Sequence, residues 1–380
     1  MESNAVLDTL ATLAGTVEQL NGFTRDGAEI QEIGDGNLNF VYRAKWILDG
    51  RPCSVVVKQA PAYIKCLGPK YALTQARLQV EYHALQRFHE IMPGSCPRPY
   101  YFDQERSLMI MEDLGSYVVM RSQIISGIVN VDAACAVAKF AAAIHSKSHK
   151  LSTGSRDWED LCDNFSNADM VDITRQYVFV RPYDAEDPTN KSPDVVKALS
   201  QEMRSSAAVK RNVADLTRKF LENRECLLHG DLHSGSIMVC GSEARLFDVE
   251  FACIGPAAFE IGMYTIQFCV SWLAHKHCNP DVDGSLLATL EEATRRVWDT
   301  YRSRFFADGV AEDAISQFWL DAVGFGACEA TRRVIGAAPI PDLSNDASLL
   351  AVLRLCYKIL SDTQSVNTVD RLIEMMKSLA

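Results

Sequence analysis

The chain lacks any Cys-x-x-Cys pair, any apolar run approaching about 18 residues, a basic N-terminus, and a basic stripe or tail. Without close thiol pairs, and with Cys135, Cys226 and Cys269 set in apolar runs, its 12 cysteines read as reduced core thiols, not as a disulfide framework. That is the usage of a cytoplasmic protein. The opening Met1-Glu2-Ser3-Asn4 has neither the charge nor the apolar sequel of a signal peptide, and no segment is long enough to span a membrane. A net charge of −11 with no basic face argues against nucleic acid as a partner. The acidic surface tolerates a cationic substrate without demanding one. Internal repeats and low-complexity stretches are also missing. What remains is 380 residues, 48% hydrophobic, enough for two domains or lobes with ample core.

Periodicity divides the chain into a sheet-rich first part and a helical remainder. Residues 1–22 carry Leu7, Leu10, Leu13, Val17 and Leu20 near helical spacing and predict an amphipathic helix. Residues 28–60 predict a β-hairpin, with Val41, Ala44 and Trp46 before the turn Leu48-Asp49-Gly50 and Ser54-Val55-Val56-Val57-Lys58 after it. A helix is expected over 76–90, with Leu78, Tyr82, Leu85 and Phe88 on one face, then a buried strand Leu108–Met111. From Val131 the pattern is mainly helical, broken by a strand pair and by a Pro- and Asp-rich loop over 181–195. Trp272 and Trp298 fall in apolar helical patterns and read as core. The fold class expected is α+β: a small antiparallel-sheet lobe (1–111), a hinge (112–115) and a larger, mainly helical lobe (116–380), a layout that suits a nucleotide held in a cleft.

Within the helical part, His229-Gly230-Asp231-Leu232-His233-Ser234-Gly235-Ser236 precedes Phe247-Asp248-Val249-Glu250. A lone His-Gly-Asp is a common turn. Here each acidic motif follows a strand-like apolar run, Cys226–Leu228 or Ala244–Phe247, and the spacing is that of phosphoryl-transfer sites. Asp231 is the candidate catalytic carboxylate, accepting a proton from an attacking hydroxyl. Asp248 and Glu250 are the candidate Mg²⁺ ligands on the phosphates of ATP.

The first part supplies the other candidates. Gly34-Asp35-Gly36-Asn37-Leu38-Asn39 resembles a phosphate-binding glycine loop, in which Gly34 and Gly36 let the backbone approach oxygens and Asn39 adds an amide donor; the same string is also an ordinary turn. Lys58 ends a Val-Val-Val run and would point its ammonium at the α- and β-phosphates. Glu81 on the next helix is its natural ion-pair partner or, in another helical phase, a solvated glutamate. The segment Met111-Glu112-Asp113-Leu114 would meet adenine through backbone groups.

Together with Val57-Lys58-Gln59-Ala60 and Cys328-Glu329-Ala330-Thr331-Arg332-Arg333-Val334-Ile335-Gly336, these pieces resemble the 5-methylthioribose kinase family, in family order over residues of about 30–345. That family shares the two-lobed protein-kinase-like fold of aminoglycoside phosphotransferases and choline kinases. Asp-Leu-His-Ser-Gly-Ser and Asp-x-Glu are its forms of the two motifs; most relatives have Asn at the position of Ser236 and Asp-x-Asp. The resemblance implies transfer of the γ-phosphate of MgATP to the anomeric hydroxyl of 5-methylthioribose, in methionine salvage, by a homodimer. It implies Asp231 as base and sugar contact, Asp248 and Glu250 as metal ligands, and Lys58, Asn39 and Glu112–Leu114 as nucleotide contacts. Arg332 and Arg333 match an arginine pair at the sugar and phosphate end.

The chain departs from the family at Val249, where proline is usual, and at Tyr71, where the loop after the lysine carries tryptophan. The segment Phe251–Pro256 matches only in part. These departures bear on the 5-substituent pocket, so another 5-substituted ribose or an amino alcohol stays an alternative substrate, and a non-catalytic nucleotide binder an alternative class. His229 reads as a brace of the turn; His233 either touches the sugar or orients the loop. Neighbours in a helix point about 100° apart, so one of Arg332 and Arg333 is expected to face the substrate and the other to brace.

Overall fold

The computed structural model describes residues 3–33, 38–66, 68–278, 281–307 and 309–379. Gly34 and Gly36, the phosphate-loop candidates, lie outside the described residues. Two compact units emerge: Met1–Ser116 with Phe247–Ala252, and Tyr117–Leu246 with Cys253–Ala380.

The first unit is built on a five-stranded antiparallel sheet in the order β1-β2-β3-β5-β4. The strands are β1 (Glu29–Glu32), β2 (Phe40–Leu48), β3 (Arg51–Gln59), β4 (Pro99–Asp103) and β5 (Leu108–Glu112). Strand alternation sorts their side chains. Val55 and Val57 join Tyr42, Ala44, Trp46, Leu108 and Ile110 in a core closed by Val6 and Leu10 of helix α1 (Ser3–Leu13). Val56 and Lys58 project from the opposite face. Helix α2 (Ala76–Ile91) buries Leu78, Leu85 and Phe88, and on the same buried surface Arg77 and Glu81. The helix expected over 1–22 stops at Leu13; Gly15 and the β-branched Thr16 and Val17 favour a break, and the chain continues through a short 3₁₀ turn, Glu18–Leu20. Val17 and Leu20 are nonetheless buried.

The second unit is mainly helical. Its strands are β6 (Val118–Val119), β7 (Cys226–Leu228), β8 (Ile237–Cys240), β9 (Glu243–Leu246) and β10 (Cys253–Gly255). Its shorter helices are α3 (Met120–Ile125), α4 (Val131–Ser148), α5 (Ser155–Asn164), α6 (Ala168–Thr174), α7 (Lys197–Ser205) and α8 (Ala207–Glu222). The C-terminal part adds α9 (Ala257–Cys278), α10 (Gly284–Phe305), α11 (Glu312–Ile335), α12 (Asp346–Ser361) and α13 (Val369–Lys377). The two motif-flanking strands do not pair with each other. Strand β9 pairs with β8 across a two-residue connection, a local hairpin between the two motifs, and β7 pairs with β10. The loop over 181–195 contains two 3₁₀ turns, Arg181–Tyr183 and Asp194–Val196.

Helix α9 is buried on nearly every side, and α11 crosses it closely enough that small residues are required. A Cβ on Gly262 would run into the carbonyl of Ala322, and one on Gly326 would stand 2.6 Å from the carbonyl oxygen of Gly262. This crossing fixes the C-terminal turns of α11, which carry Glu329, Arg332 and Arg333. Trp272 and Trp298 are buried, as are Cys135, Cys226 and Cys269, and every cysteine is a free thiol. Among the described residues no helix is long and apolar enough to cross a membrane.

Candidate active site

In the first unit a buried charge cluster surrounds Lys58. Its Nζ lies 2.8 Å from Glu81 and 2.5 Å from Asp248. Burial by itself would favour the neutral amine; the charges of Asp248, Glu81 and Glu250 outweigh it and hold the ammonium charged well beyond the ordinary lysine range. Asp248 adopts a left-handed backbone conformation, φ 63°, which aspartate tolerates better than most residues. Its side chain remains 44% exposed, whereas that of Glu250 is 4% exposed.

Glu250 is held from two sides. Asn39 Nδ2 donates to its Oε2 at 2.8 Å, and Arg77 Nε stands 3.2 Å from the same atom. Arg77 Nη2 also donates to Asn39 Oδ1 at 2.9 Å, Pro61 O at 3.0 Å and Leu38 O at 3.2 Å. One fully buried guanidinium thus ties α2, the loop before β2 and the acidic turn. Burial, and then the charges of Asp248 and Glu81 working against those of Lys58 and Arg77, push the Glu250 carboxyl up to about 7.

These residues suit a hard divalent cation. Three carboxylates (Glu81, Asp248, Glu250) face two cations (Lys58, Arg77), which leaves an excess negative charge and an unfavourably charged glutamate. Among the described residues no cluster of three or more His, Cys, Asp or Glu could hold a metal unaided. A Mg²⁺ ion is commonly held by one or two carboxylates, with phosphates and water completing the shell.

The remaining candidates of this unit lie elsewhere in it. Glu112, at the end of β5, accepts from Arg98 N at 3.0 Å; Asp113 pairs with Arg43 at 3.0 Å; Leu114 is buried. Tyr71 is 53% exposed on the loop between β3 and α2, where its backbone bonds Gly68 and Ile64.

In the second unit the loop between β7 and β8 presents Asp231. Gly230 sits at φ 87°, a conformation costly for other residues, and turns its N–H onto Glu260 Oε2 of α9 at 3.0 Å. Glu260 Oε1 lies 3.1 Å from His145 Nε2, and His145 Nδ1 lies 2.8 Å from the Tyr301 hydroxyl; all are buried. His229 is buried and its Nδ1 accepts from Asp231 N at 3.3 Å, the bracing role expected of it.

The Asp231 carboxylate is met on three sides. His233 Nε2 lies 3.3 Å from Oδ2, while Arg332 Nη2 and Arg333 Nη2 lie 3.3 and 4.0 Å from Oδ1. Burial would raise its pKa, but His233, Arg332 and Arg333 together hold it well below the usual carboxylate range. His233 is engaged with its own loop: Gly235 N donates to Nδ1 at 3.0 Å.

Both arginine heads lie on the Asp231 side, with Arg332 the nearer and Arg333 the more heavily braced. Glu329, one turn back on α11 and wholly buried, takes Arg332 Nε at 2.5 Å on one oxygen and Arg333 Nε at 2.7 Å on the other. Guanidiniums on four-bond stems bend toward a shared carboxylate, so the angular offset of their Cα atoms does not separate their heads. Glu329 was legible as the i−3 and i−4 partner of both. Arg77 carried no such signal, since a helix-first-turn arginine reads as solvated.

The chain matches the model of the phosphotransferase enzyme family over residues 29–303. It is similar to the methylthioribose kinase of Bacillus cereus (strain B4264), 31% identical over 334 residues that cover 85% of this chain and 83% of that one. It is likewise similar to the methylthioribose kinase of Geobacillus kaustophilus (strain HTA426), 31% identical over 338 residues, with 85% and 83% covered. Among solved structures, the choline kinase of Cryptosporidium parvum aligns with a TM-score of 0.53 at 10% identity, covering 98% of this chain and 96% of that one. The Plasmodium vivax ethanolamine kinase aligns at 0.52 and 13%, covering 100% and 91%. At these identities the structural likeness is one of fold.

Proposed function

The chain belongs to the phosphotransferase enzyme family and, within it, groups with the methylthioribose kinases, and from that premise we propose how its residues perform the reaction. It is an ATP-dependent sugar kinase. The acceptor is 5-methylthioribose, phosphorylated at its anomeric hydroxyl. The observation that carries this reading is the environment of Asp231: an ionised carboxylate flanked by two guanidiniums and an imidazole.

Asp231 accepts the hydrogen bond of the attacking hydroxyl and takes its proton as the new O–P bond forms and the bond from the γ-phosphorus to ADP breaks. A carboxylate of such low basicity is suited to this step. In a loose phosphoryl-transfer transition state the attacking oxygen keeps its proton until late, so orientation matters more than base strength. Arg332 and Arg333 offer planar donors to sugar hydroxyls and to the charge moving onto the transferred group. Lys58, fixed by Glu81, pairs with the nucleotide phosphates; Asn39 and the backbone of Glu112, Asp113 and Leu114 complete the nucleotide contacts. Asp248 and Glu250 would hold Mg²⁺. Bound there, the ion would offset negative charge on the β- and γ-phosphates.

Residues 1–111 are assigned to nucleotide binding, 112–115 to the adenine-contacting connection and 116–380 to catalysis and sugar binding. The free cysteines support a reducing, cytoplasmic setting, and a homodimer is assigned by likeness to the family. Turnover with ATP on 5-methylthioribose, 5-deoxyribose and ribose tests the substrate. The first should give the highest kcat/KM, and a preference for plain ribose would overturn the assignment.

A further inference from the structure

Three donors gather at the Nδ1 edge of His233. Gly235 N donates to Nδ1 at 3.0 Å, Arg121 Nη2 stands at 3.3 Å and Ser236 Oγ at 3.3 Å. An amide N–H and a guanidinium have no lone pair to offer. Nδ1 must therefore supply one, and the proton of the neutral ring sits on Nε2, the nitrogen 3.3 Å from Asp231 Oδ2. The opposite tautomer would set an N–H against a cation and a lone pair against a carboxylate. Burial, reinforced by the charges of Arg333 and Arg121 and opposed by that of Asp231, keeps the ring below the ordinary histidine pKa, so the neutral form is the relevant one near pH 7.

Arg121, on α3, is itself anchored. Its Nε lies 3.4 Å from Ser234 Oγ and 3.5 Å from Asp342 Oδ2. The Asp342 side chain is 3% exposed, and this oxygen takes no hydrogen bond, only the ion pair. The chain also leaves room for the guanidinium. A Cβ on Gly235 would lie 2.7 Å from Arg121 Nη1 and 2.9 Å from His233 Cε1.

We propose that Arg121 is a positioning residue for phosphoryl transfer: anchored by Asp342, it joins Gly235 N on the Nδ1 side of His233, helps to hold that ring as the Nε2–H tautomer, and so keeps a hydrogen bond aimed at Asp231. This rests on the reading of Asp231 as the carboxylate that meets the acceptor hydroxyl.

The test uses the full chain with ¹⁵N-labelled histidine. Long-range ¹H–¹⁵N spectra read the tautomer of His233 without any substrate, so a wrong sugar assignment leaves this arm intact. The wild type should show Nε2–H. Arg121→Met should raise the Nδ1–H fraction above that of the wild type, short of a full switch because Gly235 N and Asp231 still favour Nε2–H, and lower kcat roughly a hundredfold with KM for ATP unchanged. Arg121→Lys, a cation without lone pairs, should recover part of both. If Arg121→Met fails to fold, His233→Gln and His233→Asn decide. The glutamine amide can donate from near the Nε2 position and the asparagine amide cannot, so the glutamine variant should be the more active by about tenfold, the loss of one charge-assisted hydrogen bond. An Nδ1–H wild type, a tautomer or kcat unmoved in Arg121→Met, or an asparagine variant as active as the glutamine one overturns the proposal.

Discussion

Arg77 Nε stands 3.2 Å from Glu250 Oε2, with both side chains almost wholly buried. A buried pair of this kind is expensive to break from one side, because the surviving charge stays out of water. Arg77→Met should therefore destabilise the protein by about 3–5 kcal/mol, read as a drop in the urea midpoint. Adding Glu250→Gln to Arg77→Met should recover part of that loss, since the stranded charge is gone. Additive losses in the double variant would show that Arg77 acts through Asn39 and the backbone carbonyls, not through Glu250.

Glu250→Gln alone should raise the Mg²⁺ concentration needed for half-maximal turnover. A neutral amide is a weaker ligand for a hard cation than a carboxylate, while Asn39 and Arg77 still hold the side chain in place. A Mg²⁺ titration checks this at saturating ATP. An unchanged midpoint would make Glu250 a structural partner of Arg77 and leave Asp248 as the ligand.

The sequence made these groups legible to different degrees, for physical reasons. Lys58 follows from strand periodicity, as the residue closing a buried run; Glu81 was the partner expected of a phosphoryl-transfer site, with its helical phase open, and the two meet at 2.8 Å. Arg77 was invisible because its partners Asn39, Pro61 and Glu250 are distant in sequence and three of its acceptors, Thr74 O, Leu38 O and Pro61 O, are backbone carbonyls that any residue could supply. The hairpin of β2 and β3 was readable from alternation and a turn. The pairing of β7 with β10 was not, because strands of three residues carry almost no periodicity. For Arg332 and Arg333 helical geometry gave the offset but not the shared anchor: a single carboxylate, Glu329, draws both long side chains toward it.

Asp231→Asn should reduce turnover by about 10²–10⁴-fold while leaving ATP binding intact, because the lost group serves the acceptor hydroxyl. The same variant tests the electrostatics. A carboxyl held below its ordinary value contributes stability that is present above the unfolded-state pKa, about 3.9, and is lost as pH falls through that value toward the folded one. Thermal unfolding should thus weaken more steeply between pH 5 and pH 3 in the wild type than in Asp231→Asn. Parallel Tm profiles would mean that His233 and the arginines do not bind the carboxylate in solution.

The last prediction concerns Glu329, which positions two guanidiniums at once. Arg332→Lys should lower kcat/KM for the sugar more than Arg333→Lys. Arg332 is the nearer to Asp231, at 3.3 against 4.0 Å, and Arg333 also donates to Ala338 O at 3.4 Å, a bracing contact. A lysine has no second nitrogen to keep Glu329 while reaching Asp231, so each replacement forces a choice between the two carboxylates. Glu329→Ala releases both arginines together. It should cost at least as much kcat/KM as the worse lysine variant, and in its background either lysine change should add little, because the geometry it would disturb is already gone. KM for ATP should stay near wild type throughout. Independent, additive effects of the three substitutions would show that the arginines reach Asp231 by their own helix packing, with Glu329 serving only to neutralise them.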